Sequence, residues 1–461
     1  MLIGYECDTR FIAAHHQPAL LIDLALSRGI DSHRLLRGTG LFYADIAGGH
    51  AKLCPEQFVT LIGNAKRLLD ADDSSFLFGQ RLLPGHYGEA SHTLEHACTL
   101  LQALERLQRF RTLLSPLLTP RLLLDDKQAY LYWSDSCGAA HAQVFLAEAC
   151  MTAVVAMSRR LSAERLPWRF HFSYAKPRYV EQYWVHLGED LTFDSQLTMM
   201  SLPLEWLHRP WPNASATAGQ VAEQASQALL ASHGWHGSFL DQLYEYLQAN
   251  IRTPLNLERV AQAFGMSPAS LKRKLQKHGT HFQEQLDLVR KHVALYLYQA
   301  RGYGNDEVAA YLRFTDTTNF RRSFKRWTGV VPSGLRHWHS VAGRYNAATG
   351  KPASASSSRN KGETILVRFS TRTPCKIQCR TSAPRMLHTM RVVDVFLRSR
   401  AAGMNAAERP LAYKESMCEE SHVIADADRR ACPGSSATCR AAAELRSASR
   451  RVRLPTSRQA P

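Results

Sequence analysis

One pattern occurs twice within a short stretch of this chain, and it constrains the fold more than any other feature. Residues 257–277 read Leu-Glu-Arg-Val-Ala-Gln-Ala-Phe-Gly-Met-Ser-Pro-Ala-Ser-Leu-Lys-Arg-Lys-Leu-Gln-Lys. Leu257, Val260, Ala261 and Phe264 recur at helical spacing, and Ala261 is small enough for a second helix to cross closely. Gly265 permits a left-handed turn, Ser267 can cap the next helix, and Pro268 suits its first position. In that second helix Leu271 and Leu275 face inward at i,i+4, which leaves Ala269, Ser270, Arg273, Lys274 and Lys277 on other faces. The spacing predicts a helix-turn-helix whose second helix, opened by Ser267, is presented to DNA.

The arrangement recurs about fifty residues later. Asn305 or Asp306 is placed to cap a helix carrying Val308, Ala309 and Leu312, followed by a turn at residues 313–316. A helix from Thr317 then buries Phe320 and Phe324 and presents Thr317, Thr318, Arg321, Arg322 and Lys325. Between the two units, Phe282, Leu286, Val289, Val293 and Leu297 define one helix of roughly 16–20 residues, about 24–30 Å long. That length is close to the roughly 34 Å between successive major grooves on one side of B-DNA, so one chain could read two grooves.

Charge is distributed to match. Residues 1–237 carry 20 basic and 23 acidic side chains, residues 238–338 carry 15 and 8, and residues 339–461 carry 22 and 9, within a total of +17. A compact basic segment behind a mildly acidic one suits a nucleic-acid partner. Hydrophobic residues at 45% exclude a wholly disordered chain.

The front of the chain reads as α+β. Leu20, Leu21, Leu24 and Ala25, then Phe58 to Leu69, then Leu94 to Leu107, have helical periods. Residues 121–124 and 129–133 flank a turn-prone Asp-Asp-Lys-Gln and predict a hairpin. Val144 to Arg160 predicts a helix; Arg169 to Tyr174, Tyr183 to Leu187 and Leu197 to Leu202 predict strands. Residues 213–237, rich in Ala, Ser, Gln and Gly, read as a linker, with one apolar stripe at Val221, Ala225 and Leu229 that predicts a short connecting helix. The expected organisation is a multidomain chain: an α+β effector-binding and dimerisation domain at 1–212, a linker at 213–237, an all-α double helix-turn-helix domain at 238–338, and a basic tail at 339–461. The tail holds four aromatic residues against 38 in the preceding 338, too few to offset chain entropy, so it is expected to be disordered.

The runs Val260 to Leu275, Phe282 to Arg290, Glu307 to Gly329 and Pro332 resemble the AraC/XylS DNA-binding domain over about 100 residues. More loosely, the front resembles the arabinose-binding-type domain of the ornithine-utilisation-regulator subgroup. The resemblance implies a bacterial transcription regulator whose front domain senses a small molecule. It implies double-stranded DNA and RNA polymerase as partners and a homodimer, with no cofactor or metal. It places Ala269, Arg273, Thr317, Thr318, Arg321 and Arg322 at base- or phosphate-contacting positions. Two departures stand out: Arg313 occupies the family's usual glycine, where a left-handed backbone costs on the order of 1 kcal/mol, and Leu335-Arg336 replaces the usual Tyr-Arg.

Rival readings attach to smaller motifs. His92-Thr-Leu-Glu-His96 spells the H-x-x-E-H of inverted zinc peptidases, with His92 and His96 as ligands and Glu95 activating water. Leu94, Ala97 and Leu101 make the same stretch an ordinary amphipathic helix, and Glu148 and Glu164 are only remote third ligands. A zinc hydrolase is the first alternative. A nonspecific nucleic-acid protein driven by the tail, with Arg450, Arg451 and Arg453, is the second. Cys375, Cys379, Cys432 and Cys439 are spaced too widely for a knuckle, and the five cysteines before the tail read as core residues or free thiols. Trp133, Trp168, Trp184, Trp206 and Trp211 are candidates to line an effector pocket, but most of them read as core, and no effector-pocket residue is assigned. Val144 to Met157 is short and interrupted by Glu148 and Thr152, so no membrane span is expected, and Met1 to Thr9 lack a signal-peptide pattern, which gives a cytoplasmic expectation.

Overall fold

The computed structural model describes residues 4–235 and 237–335. The expectations for the basic tail, its cysteines and arginines, and Arg336 to Trp338 lie outside the described residues. Helices of seven or more residues are numbered here.

The front domain is α+β. A two-residue ribbon pairs β1 (Ile12–Ala13) with β2 (Lys52–Leu53). Around it lie α1 (Gln17–Ser27), α2 (Pro55–Leu69), α3 (Ser74–Leu82), α4 (Glu89–Glu95) and α5 (Leu100–Arg109). The run from Leu94 to Leu107 is thus two helices: α4 ends at His96, and the Thr99 side chain caps α5 by accepting from the Gln102 N–H at 3.2 Å.

The hairpin forms where alternation predicts it. β3 (Leu118–Leu124) pairs antiparallel with β4 (Gln128–Asp135), and Asp125 Oδ1 closes the turn by accepting from the Lys127 and Gln128 N–H groups. α6 (Gln143–Ser162) follows, then β5 (Arg169–His171), α7 (Val180–His186), β6 (Leu191–Thr192) and β7 (Met199–Pro203). The sheet order is β3-β4-β7-β5-β6, antiparallel except for the β5–β6 pair. α6 is long and apolar enough to cross a membrane by length and composition, yet 61% of its apolar window is buried in this core.

Residues 183–187, expected to be a strand, form most of α7. Tyr183 is fully buried against Phe76 and Phe172, each 5.0 Å away, whereas Trp184 and Val185 are exposed. One inward residue per turn favours a helix, and tertiary burial overrides local β-propensity.

The segment expected to be a linker contains α8 (Ala216–His233), whose stripe is inverted. Val221, Ala225 and Leu229 face outward, while Gly219, Ala222, Ser226 and Leu230 are buried against α4. Small side chains allow close approach, and Glu223 receives both Arg106 and Arg109, so the contact face is chosen by packing and ion pairs.

The second domain is all α: α9 (Phe239–Ala249), α10 (Leu257–Ala263), α11 (Pro268–Lys277), α12 (Phe282–Ala300), α13 (Asn305–Tyr311) and α14 (Thr317–Thr328). The sheet joins it to the front. Along β4, Ala129 and Leu131 enter the front core, and the alternate residues Tyr130 and Tyr132 enter the helical core together with Met199 of β7. Both faces of the sheet are therefore covered, one by each domain.

Candidate nucleic-acid interface

Each helix-turn-helix is assembled from local signals. In the first, the Asn256 side chain accepts from the Arg259 N–H at 2.9 Å to start α10. Gly265 sits at φ +65°, and Ser267 Oγ accepts from the Ser270 N–H at 3.1 Å to start α11. Leu271 and Leu275 are buried against Val260, Ala261 and Phe264. In the second unit the cap differs from the expectation. Glu307 accepts from the Gly304 N–H at 2.7 Å, so neither Asn305 nor Asp306 is the N-cap. Those two side chains instead receive the Tyr298 and Thr317 hydroxyls. Asp316 caps α14 by accepting from the Asn319 N–H at 2.7 Å, and Phe320 and Phe324 are fully buried. Arg313 holds φ +60°, the left-handed conformation usually left to glycine.

The strut between them is the 19-residue α12, about 28 Å long. Its Asp287 pairs with Arg326 of α14 at 3.0 Å, and the Arg290 guanidinium lies 5.3 Å from the Phe314 ring centroid, tying the second unit to the strut.

The structure places the predicted contact residues in three situations. Ser267, Ala269, Arg273, Thr318, Arg321, Arg322 and Lys325 are exposed; Arg273, Arg321, Arg322 and Lys325 form no ion pair among the described residues. Ser270 and Thr317 are half-buried and tied within their own units, Ser270 to Ser267 and Thr317 to Asp306. Lys274 and Lys277 are engaged by acids from the start of the chain: Glu6 reaches both ammonium groups and Asp8 reaches Lys277 at 2.6 Å. Burial would raise the Glu6 carboxyl, but hydrogen bonds and charge from Lys274 and Lys277 lower it, and Lys277 chiefly holds Asp8 low as well.

That acidic segment is itself anchored. Tyr5 is bonded on both sides, its N–H to Gly237 O at 3.1 Å and its carbonyl to the Phe239 N–H at 2.8 Å, while its hydroxyl donates to Pro116 O at 2.7 Å. Gly138 lies so close to the end of α11 that an added Cβ would sit 2.5 Å from His278 O. Below, the fully buried Asp241 of α9 accepts from Arg111 Nε and from Arg121, each at 2.6 Å, and the Arg121 guanidinium stacks 3.7 Å over Tyr244. Tyr132, Tyr244 and His292 form a chain of hydroxyl and imidazole contacts at 3.2 and 2.9 Å, in which burial holds the His292 pKa well below its ordinary value. None of these partners was identified from sequence. The only signal was the paired acids Glu6 and Asp8 in a front domain of mildly negative charge.

The zinc-like motif is arranged otherwise. His92 Nδ1 lies 3.1 Å from Glu95, which also holds Arg160 at 3.1 Å, and His96 falls at the end of α4. Glu148 is buried and takes the Ser75, Tyr179 and Tyr183 hydroxyls, and Glu164 pairs with Arg209. Among the described residues no group of three or more His, Cys, Asp or Glu side chains could hold a metal.

Two tandem helix-turn-helix units behind an α+β domain define a two-domain transcription regulator. Residues 29–211 match the family model described as the arabinose-binding domain of AraC transcription regulator, and residues 260–337 match a helix-turn-helix domain model. The ornithine utilization regulator of Pseudomonas aeruginosa is 29% identical over 317 residues, covering 68% of this chain and 94% of that protein. An uncharacterized HTH-type transcriptional regulator of Mycobacterium tuberculosis is 38% identical over 74 residues, 16% of this chain and 22% of that protein. Among solved structures, the transcriptional regulator CdpR from Pseudomonas aeruginosa aligns with a TM-score of 0.34 at 20% identity, over 68% of this chain and 96% of that one. The chain is a transcriptional regulator with an arabinose-binding front domain of the AraC type and an AraC-type DNA-binding helix-turn-helix domain.

Proposed function

We propose that α11 and α14 enter two successive major grooves from one side of the duplex, with α12 as the spacer. The observation that carries this is the pair of capped turns joined by a 19-residue helix, with Arg273, Arg321, Arg322 and Lys325 outward and unpaired by acids among the described residues. Ser267, Ala269, Ser270, Thr317 and Thr318 then stand near phosphates or base edges, while Lys274 and Lys277 become available only when Glu6 and Asp8 release them. The docked arrangement is thus the weaker DNA binder, and a ligand acts by different affinities for the docked and released forms.

The front domain supplies effector binding and homodimerisation, which places two double units on repeated half-sites, and the bound protein contacts RNA polymerase in the cytoplasm. Arabinose and ornithine, which name the family model and the Pseudomonas regulator, are the reference compounds for an effector test. No catalysis is proposed for His92, Glu95 and His96, since Glu95 is committed to His92 and Arg160. The test is selection of bound sequences from a random duplex pool, followed by footprinting. Enrichment of a motif with two contact blocks about 10 base pairs apart supports the reading; a single block, or no enrichment, contradicts it.

A further inference from the structure

We infer that His278 makes the grip of the front domain on α11 sensitive to pH, so that mild acid releases the helix and strengthens duplex binding. This rests on the docked and released forms proposed above and names the condition that converts one into the other.

His278 closes α11 as its C-cap residue, and both domains surround it. Its imidazole stacks on Phe239 of α9 with ring centroids 5.8 Å apart, and its carbonyl makes the close contact with Gly138 of the front domain. The residue is 3% exposed, and neither ring nitrogen reaches hydrogen-bond geometry with any described residue. A neutral imidazole loses little by this, whereas an imidazolium would lose its hydration without replacement partners. Docking therefore selects the neutral ring. Release of the front domain lets water reach it, and the carbonyl end of α11 then favours a positive charge.

The groups packed around His278 leave it as the one that titrates near neutrality. Burial lowers its pKa from the ordinary 6.5, and Lys277 adds to this, against the Cys137 backbone, Glu6 and Asp135, which raise it. Glu6 and Asp8 have lowered pKa values and stay ionised in mild acid, and Lys277, whose pKa is raised, stays charged. Burial raises the thiols of Cys7 and Cys137, which stay neutral. The remaining acids are committed elsewhere. Asp135 Oδ1 accepts from the Cys137, Gly138 and Ala139 N–H groups, Asp241 holds Arg111 and Arg121, and Glu284 takes the Thr280 hydroxyl and the His281 N–H.

The sign follows from which form takes the proton. Only the released form binds it readily, so the ratio of released to docked chains rises as pH falls, by up to about tenfold between pH 7.5 and 5.5. Release frees Lys274 and Lys277 from Glu6 and Asp8, and the protonated His278 adds a third cation to the same helix.

Affinity of the full-length protein for a selected duplex, measured at pH 7.5 and 5.5 and fixed ionic strength beside His278→Gln, tests the inference. Wild type is expected to bind about threefold or more tightly at pH 5.5, and His278→Gln to change by less than about 1.5-fold. An equal rise in both proteins, or no rise in the wild type, would overturn it. Hydroxyl-radical labelling of the free wild-type protein decides the matter even if the variant fails to fold. Cys7 and Phe239 are expected to become more reactive at pH 5.5, while the buried Phe320 and Phe324 keep their protection. Unchanged labelling of Cys7 and Phe239, or equal gains at Phe320 and Phe324, would sink the switch alone. Absence of selective duplex binding at both pH values sinks the two-groove reading, and the labelling then decides the switch by itself.

Discussion

Arg313 shows how one residue can carry a measurable cost. Its φ of +60° places a Cβ where glycine has none to clash, and the side chain offers only a 3.4 Å contact to Arg252 O in return. Arg313→Gly is expected to stabilise the protein by about 0.5–1 kcal/mol, since relief of the left-handed penalty exceeds the added unfolded-chain entropy. Denaturant midpoints compare the two proteins, and a destabilised variant would show that the contact outweighs the strain. Arg273 is the residue whose loss separates base reading from phosphate contact. Arg273→Ala should weaken duplex binding by about 1–3 kcal/mol and relax selectivity at one base pair. Uniform weakening across sequences with a shallower salt slope would assign it to phosphate. Glu6→Gln combined with Asp8→Asn frees Lys274 and Lys277, and is expected to raise duplex affinity severalfold at low salt; unchanged affinity would show that the acids do not compete with DNA.

At the scale of elements, legibility followed range. The two turns, their inward leucines and phenylalanines, and the β3–β4 hairpin rest on contacts within a few residues, so periodicity and turn chemistry were enough to find them. The second cap was misplaced because Glu307 reaching back to Gly304 is as local as an Asn305 cap, and residue type alone does not choose between them. α8 was legible as a helix but not in its orientation: the larger Val221 and Leu229 suggested the buried face, whereas the contact with α4 requires small side chains. Substitution separates the two assignments. Val221→Glu should change stability by no more than about 0.5 kcal/mol, while Ala222→Glu buries an unpaired carboxylate and should cost about 3 kcal/mol or more in denaturant unfolding. The reverse order would place the stripe inward after all.

For the whole molecule, the feature beyond reach of sequence was the seam between the domains. Glu6 and Lys274 are 268 positions apart, and Arg121 and Asp241 are 120 apart; no local pattern records such pairs. The seam carries a pH dependence whose sign follows from its histidines. Burial, the main cause, lowers the pKa of His278 and His292 from the ordinary 6.5. The unfolded chain then binds more protons, so their contribution is complete above about pH 6.5 and declines as pH falls below it, by up to about 1.4 kcal/mol per pH unit for each histidine. Glu6 and Asp8, whose pKa values are lowered, lose their contribution only at more acidic pH, and Lys277, whose pKa is raised, only in alkali. Unfolding measured at pH 7.5 and 5.5 should show reduced stability at the lower pH, with a smaller loss in His292→Gln; equal loss in both would remove His292 from the account.

The central claim is that two helices of one chain read two grooves on one side of the duplex. Hydroxyl-radical footprinting of the full-length protein on a selected duplex tests it most directly, with Arg273→Ala and Arg322→Ala run beside it. The account predicts two protected patches one helical turn apart on the same face, with each substitution weakening a different patch. One patch alone, or both substitutions weakening the same patch, would contradict it.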